Sequence, residues 1–374
     1  MTKVAIIGAG IIGAAIAYEL SKVRGVEITL IDRDRSASGS TGAALGVLMG
    51  AISQKTKGRA WQLRQRSLER YETLIPELET FTGKQIAVNR QGIVKLLFEG
   101  DCLDKWQQLQ AIRRTQGWQL EIWERVDLEN RCPQIDNDQI IAAVYSSQDR
   151  QINPTMLTEA LIAGAVKNGV KCQFGVEVEE ASTKNDKTAL RYCYQIETTE
   201  ENLETDWLVV AAGLGSTPLT HSLKQSVDIR PVLGQALKLK LDNNLGNPNF
   251  QPVITGEDVH LVPLGGGEYW LGATVEFPQE DGQEVIARSQ VLEQVRQKAI
   301  AFCPAIAEAK IISTWSGKRP RPHGQPAPII GLLSGYSNVL LATGHYRNGV
   351  LLAPATAEEI KQIVCESLIE EFTN

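Results

Sequence analysis

Residues 3–7 form an almost unbroken apolar run, the pattern of a strand buried on both faces. A second such run, 27–31, ends at Asp32, and a helix-length apolar segment reaching about residue 24 lies between them. Gly8, Gly10 and Gly13 open that helix, so the spacing predicts a β-α-β unit. A Gly/Ser/Ala-rich loop follows over 36–50, then a long helix over 57–82 with an expected break at Pro76. Further patterns predict a strand over 92–98, helices over 103–116 and 156–168, and short strands over 170–174, 176–180 and 190–197. Segments 207–213 and 339–344 are apolar strands that end in glycine. Between 230 and about 274 the rhythm becomes alternating, in 235–241, 260–263 and 269–274, which reads as an antiparallel sheet. Helices are expected over 285–302 and from about Pro354 to 372.

Parallel-type strands therefore stand at the start, middle and end of the chain, with antiparallel-type segments between them. The expected fold class is α/β. A doubly wound, Rossmann-like nucleotide-binding domain would be built from 1–85, 145–225 and 320–374. An α+β substrate domain with a mostly antiparallel sheet would come from 86–144 and 226–319.

Composition narrows the function. Of 374 residues, 43% are hydrophobic and 22% charged, and the net charge is −6, so the chain is globular. No Lys/Arg-rich stretch offers a nucleic-acid footprint. The six cysteines form no C-x-x-C pair and do not cluster with histidine, so no metal site is expected and a reducing, cytoplasmic setting is. The apolar stretch 4–17 behind Lys3 looks like a signal peptide but is too short to span a membrane, and it holds the three glycines.

Those glycines carry the clearest chemistry. Gly8 permits a tight turn, Gly10 lets backbone approach a pyrophosphate, and Gly13 allows close helix–strand packing. Asp32, 19 residues beyond Gly13, suits the hydroxyls of an unphosphorylated ribose. The motif alone does not choose between NAD and FAD. The small residues of loop 38–46, with Ala212 and Gly213 at one strand end and Gly344 at another, favour a long extended dinucleotide such as FAD.

The C-terminal part is the most specific: Trp315-Ser-Gly-Lys-Arg319-Pro, then Pro328-Ile-Ile-Gly331, then Ala342-Thr-Gly-His345-Tyr-Arg347-Asn-Gly349-Val-Leu-Leu-Ala-Pro354. With these residues the chain resembles the glycine oxidase/D-amino-acid oxidase family of flavoproteins over nearly its whole length, the glycine oxidase type, associated with thiamine biosynthesis, being the nearer. The resemblance implies non-covalent FAD, since 318–329 holds no cysteine for a covalent link. It implies pyrophosphate contacts at Ile11 and Ile12, the adenosine end at Asp32, Arg33 and Val176, and a phosphate loop at Ser40 and Thr41. Leu45, Gly46 and Val47 would lie near the flavin ring, and His345, Tyr346, Arg347, Asn348, Gly349, Val350 and Leu351 would wrap its pyrimidine edge.

The implied reaction oxidises a small amine or amino acid: glycine, sarcosine or a small D-amino acid. Hydride would pass from Cα to flavin N5, O2 would restore the flavin and give H2O2, and the imine would hydrolyse. Arg319 would grip the substrate carboxylate with its planar fork. Arg347 would either assist by charge or anchor its loop, with Tyr346 beside it. His260 and Val275 stand where glycine oxidase has a tyrosine and a methionine, and His260 reads equally as a substrate contact or a sheet-face histidine. No residue is singled out as a general base. Two other readings stay open: a dehydrogenase passing electrons to a quinone or protein, and a flavin-binding protein without turnover. Assembly into a homo-oligomer is open as well.

Overall fold

A computed structural model describes residues 1–186, 189–278 and 285–373. Strand β1 (Thr2–Ile7), helix α1 (Ile11–Leu20) and strand β2 (Val26–Asp32) form the predicted unit. β1 and β2 pair in parallel, from Thr2 opposite Val26 to Ile7 opposite Ile31. The sheet has six strands in the order Ile329–Leu332, Val339–Thr343, Trp207–Val210, β1, β2, Lys171–Phe174. All its neighbours are parallel except Ile329–Leu332, which runs against Val339–Thr343. The doubly wound α/β fold read from the sequence is thus the one observed.

Burial explains the continuous apolar runs. Val4 and Ile6 pack into a core shared with α1 and the helices Gly58–Thr82, Pro154–Lys167 and Gly349–Thr373. Ala5 and Ile7 point the other way, into a core with Cys193, Ile196 and Leu219 beneath the strands Val178–Asn185 and Arg191–Thr198. Successive side chains alternate faces and both faces are covered from Val4 onward, so the four positions Val4–Ile7 are all apolar, while Thr2 and Lys3 at the less buried start are not.

A second sheet has eight strands, in the order Lys310–Pro322, Ile229–Lys240, Glu268–Gly272, Val259–Gly265, Val253–Gly256, Ile93–Phe98, Ile140–Ser146, Glu121–Glu124. Its one parallel junction joins Val253–Gly256 to Ile93–Phe98. Helix Ser289–Phe302 covers one face through Leu292, Val295 and Phe302. The other face carries Ala236, Val253 and Val262 and meets Leu45 of the loop that follows β2. The anticipated cuts at 144/145 and 319/320 fall inside Ile140–Ser146 and Lys310–Pro322, both strands of this sheet.

One strand is added and two local expectations are corrected. Lys310–Pro322, where the pattern predicts no element, is a 13-residue strand. It lies at the sheet edge, where proline's missing N–H removes no ladder bond on the open side. Helix Gly58–Thr82 runs on through Pro76 without breaking. The last helix begins at Gly349, so Pro354 sits inside it. Pro354 has no N–H for the Val350 carbonyl one turn back, and the buried Tyr71 hydroxyl donates to that oxygen instead. The next amide, Ala355 N–H, donates to Ser67 Oγ at 3.3 Å. Tyr71 and Ser67 both belong to Gly58–Thr82, so one helix repairs the backbone of the other. Replacing Tyr71 with Phe orphans a buried carbonyl and is expected to cost about 1–3 kcal/mol, read as a lowered urea midpoint at unchanged m.

Candidate functional site

The carboxyl ends of β1, Trp207–Val210 and Val339–Thr343 lie side by side and release Gly8, Ala211–Gly213 and Gly344 at one edge. A β-carbon on Gly13 would stand 1.8 Å from the Gly8 carbonyl oxygen, so α1 seats against the turn only with glycine there. Gly10 caps α1 without a side chain of its own. Thr41 Oγ1 accepts from Ile11 N–H at 3.0 Å and ties the following loop to the helix start. Asp32 accepts from Ala9 N–H at 2.6 Å and Asp34 N–H at 2.9 Å.

A cavity of about 570 Å³ runs from these residues to the eight-stranded sheet. Every residue proposed from the sequence lines it except four: Gly13, Val176, Val275 and Asn348. Gly13 lies behind Gly8. Val176 is buried at the tip of β2, its N–H donating to Asp32 O at 3.1 Å. Val275 is half-buried next to Thr274, and Asn348 N–H bonds back to His345 O at 3.0 Å. Arg33, at the cavity's edge, is exposed and pairs at 3.7 Å with both Asp34 and Glu177.

The far end is cationic. Arg319, half-buried, donates from Nη1 to Leu233 O at 3.1 Å and forms no ion pair among the described residues. Its guanidinium lies against Gly234, where a β-carbon would come within 2.3 Å of both terminal nitrogens. Burial and the nearby charge of Arg347 lower its pKa, against smaller opposing effects from Tyr346 and Glu276. His260 is pushed down to about 4, chiefly by burial and then by Arg347. His345, 3% exposed, is pushed down to about 3 by burial, with Nε2 2.9 Å from Thr356 Oγ1.

Residues 3–363 match the family described as FAD dependent oxidoreductase (DAO). The chain belongs to the DAO family of FAD-dependent oxidoreductases. It is 30% identical over 370 residues to a bifunctional protein ThiO/ThiG of Nostoc sp. strain PCC 7120, covering 98% of this chain and 53% of that one. The chain thus spans about half the length of these bifunctional relatives. It is 27% identical to glycine oxidase of Bacillus licheniformis, covering 96% of this chain and 92% of that enzyme. The solved structure of glycine oxidase from Bacillus cereus ATCC 14579 has the same fold, with a TM-score of 0.86 at 24% identity over 98% of this chain and 96% of that one.

The cofactor of a DAO-family protein fits what is here. The start of α1 has backbone N–H groups at Ile12 and Gly13 that an α-helix leaves without partners. Its positive end therefore faces a cradle that only glycine keeps open, which suits a pyrophosphate. Asp32 keeps lone pairs for ribose hydroxyls. Loop 36–50 is fastened over the cavity by Ser40 Oγ to Lys318 O at 2.6 Å and Trp315 Nε1 to Ala43 O at 3.1 Å.

Sequence reading missed what holds this loop from beneath. Segment 149–152 runs along it. Gln151 Nε2 donates to Leu45 O at 2.9 Å, Ile152 N–H to Gly46 O at 3.0 Å, and the buried Asp149 carboxylate accepts from the N–H groups of Gly50, Ala51 and Ile52 at 2.7–2.8 Å. Arg113, fully buried, binds the carbonyls of Ala51, Ser53 and Lys55 and stacks 3.6 Å from the Trp61 ring centroid. A lone Asp and a lone Arg far apart in sequence give no local signal of this.

Two outcomes follow. Asp149→Ala strands three buried N–H groups and is expected to lower stability by on the order of 3 kcal/mol or more, with FAD content falling alongside. In the apoprotein, His260 and His345 have pKa values depressed from 6.5, so the unfolded chain binds more protons below that pH. Their stabilising share is complete above pH 6.5 and is lost on acidification, at up to about 1.4 kcal/mol per pH unit for each imidazole. Urea titrations at pH 7, 6 and 5 should show the decline, and the double variant His260→Gln, His345→Gln should flatten it.

Proposed function

We propose that this chain oxidises the Cα–N bond of a small carboxylate-bearing amine, of the class of glycine, sarcosine or a small D-amino acid, with O2 as electron acceptor. The observation that carries the reading is Arg319: a half-buried guanidinium in the cavity wall with a backbone carbonyl as its hydrogen-bond partner and, among the described residues, no carboxylate paired to it. Such a fork recognises a carboxylate through two parallel hydrogen bonds and fixes the position of the attached carbon. Similarity to glycine oxidase of Bacillus licheniformis supports the amine chemistry.

When bound, FAD would supply the hydride acceptor and the route by which two electrons reach O2 to give H2O2. The chain does the rest by placement. Arg319 orients the acid end of the substrate. The burial that, with the nearby charge of Arg347, keeps His260 neutral also favours an amine without its extra proton, the form whose Cα can surrender hydride. Gly349, Val350 and Leu351 bring the N-terminal end of a 25-residue helix to the cavity, where its positive end would favour negative charge on a bound flavin. The six unpaired thiols suit the reducing environment of a cytoplasm.

Arg319→Ala is expected to keep its FAD yet lower kcat/KM by about 100- to 1,000-fold, with Arg319→Lys recovering part of the loss. Anaerobic mixing with glycine, sarcosine and D-alanine, followed by the fading of flavin absorbance, measures this. Unchanged reduction in the alanine variant would overturn the assignment. Peroxide released in air by the best substrate checks the acceptor.

A further inference from the structure

On its cavity side the eight-stranded sheet carries a short polar row set among apolar neighbours. Lys95, Thr255 and His260 stand opposite one another on three adjacent strands, Thr255 pairing with Lys95 on one side and with His260 on the other. Ile93, Val253 and Val262, two positions along each strand, are buried apolar residues of the same face. Thr255 is 3% exposed, and its Oγ1 lies 2.9 Å from His260 Nδ1. Among the described residues that ring nitrogen is the one hydrogen-bond partner of the hydroxyl.

A buried hydroxyl has a proton to place, and leaving it without an acceptor costs about 1–3 kcal/mol. If Nδ1 carried a hydrogen, both atoms would bring protons to one contact and the hydroxyl's would go unpaired. With Thr255 donating, Nδ1 is the acceptor and the neutral ring carries its hydrogen on Nε2. His260 lines the cavity, so Nε2 is the nitrogen left for a ligand. The charged groups around the ring are Arg347, Lys95 and Arg319 on three different segments and Asp258 on its own hairpin turn. Three cations against one acid oppose a second ring proton.

We propose that Thr255 is a positioning residue that fixes His260 as a neutral Nε2–H donor to the carboxylate held by Arg319. This rests on the carboxylate reading of Arg319. A neutral donor adds a hydrogen bond without adding charge, and with its pKa pushed down to about 4 the ring stays neutral between pH 5.5 and 7.5, where the substrate carboxylate is ionised. Carboxylate affinity is then level between pH 5.5 and 7.5 as far as this contact is concerned.

The test uses FAD-loaded protein with 15N-labelled histidine, and acetate as the carboxylate probe, followed by its perturbation of flavin absorbance. In the wild type, the His260 resonances, assigned by comparison with His260→Gln, should report the Nε2–H tautomer. Thr255→Val should keep its FAD, mix the tautomers, weaken acetate about 5- to 10-fold, and raise KM with kcat nearly unchanged. Thr255→Ser, which keeps the hydroxyl, should restore all of these. An Nδ1–H tautomer in the wild type, or equal acetate affinity in wild type and Thr255→Val, overturns the proposal. Failure of acetate to bind any of the proteins would strike at the carboxylate reading of Arg319 instead, while the tautomer would still decide how the imidazole is held.

Discussion

A β-carbon on Gly8 would come within 2.6 Å of the Ala211 carbonyl oxygen, and one on Gly13 within 1.8 Å of the Gly8 carbonyl oxygen. Strand, turn and helix are therefore in backbone-to-backbone contact at the point where two parallel strands end. That contact brings the start of α1 level with the tips of β1 and Trp207–Val210 and leaves its unpartnered N–H groups facing outward. With a larger residue at either position the helix would have to lift off the sheet. The cradle, the loop seated on it through Thr41, and the lie of the whole cavity depend on this spacing.

The two ends of the cavity are built by different means. The nucleotide end is mostly backbone: glycines, amides and one carboxylate at the tip of β2. The far end is side-chain chemistry displayed on a second sheet, where Gly234 makes room for the Arg319 guanidinium and Thr255 sits under His260. Loop 36–50 joins them. It is bonded above to the strand that carries Arg319 and below to segment 149–152. A shift in either sheet is thereby felt by the other through one short stretch of chain.

The parts legible in the sequence were those written in local pattern. Apolar runs ending in glycine gave the parallel strands because both of their faces are buried. The glycine spacing gave the turn because only glycine fits those contacts. What stayed hidden depends on partners far along the chain. Pro354 reads as a helix start because proline fits a first turn, yet Tyr71, nearly 300 positions earlier in the chain, takes up the carbonyl it strands. Lys310–Pro322 gives no strand signal because its glycine and prolines interrupt the alternation, and only its place at a sheet edge makes the prolines tolerable. Asp149, Arg113 and Thr255 carry no motif at all; their roles exist only once distant backbone has been brought to them.

The strand order has a further consequence for how such a molecule is made. Trp207–Val210 lies between β1, at the beginning of the chain, and Val339–Thr343, near its end. During synthesis on a ribosome, the middle strand therefore waits with one edge bare until more than a hundred further residues have emerged. The helix that covers β1 and α1 is later still. A nascent chain can assemble the nucleotide turn early, but it cannot close the wall around the dinucleotide until this last segment arrives, which makes ligand capture a late event in biogenesis.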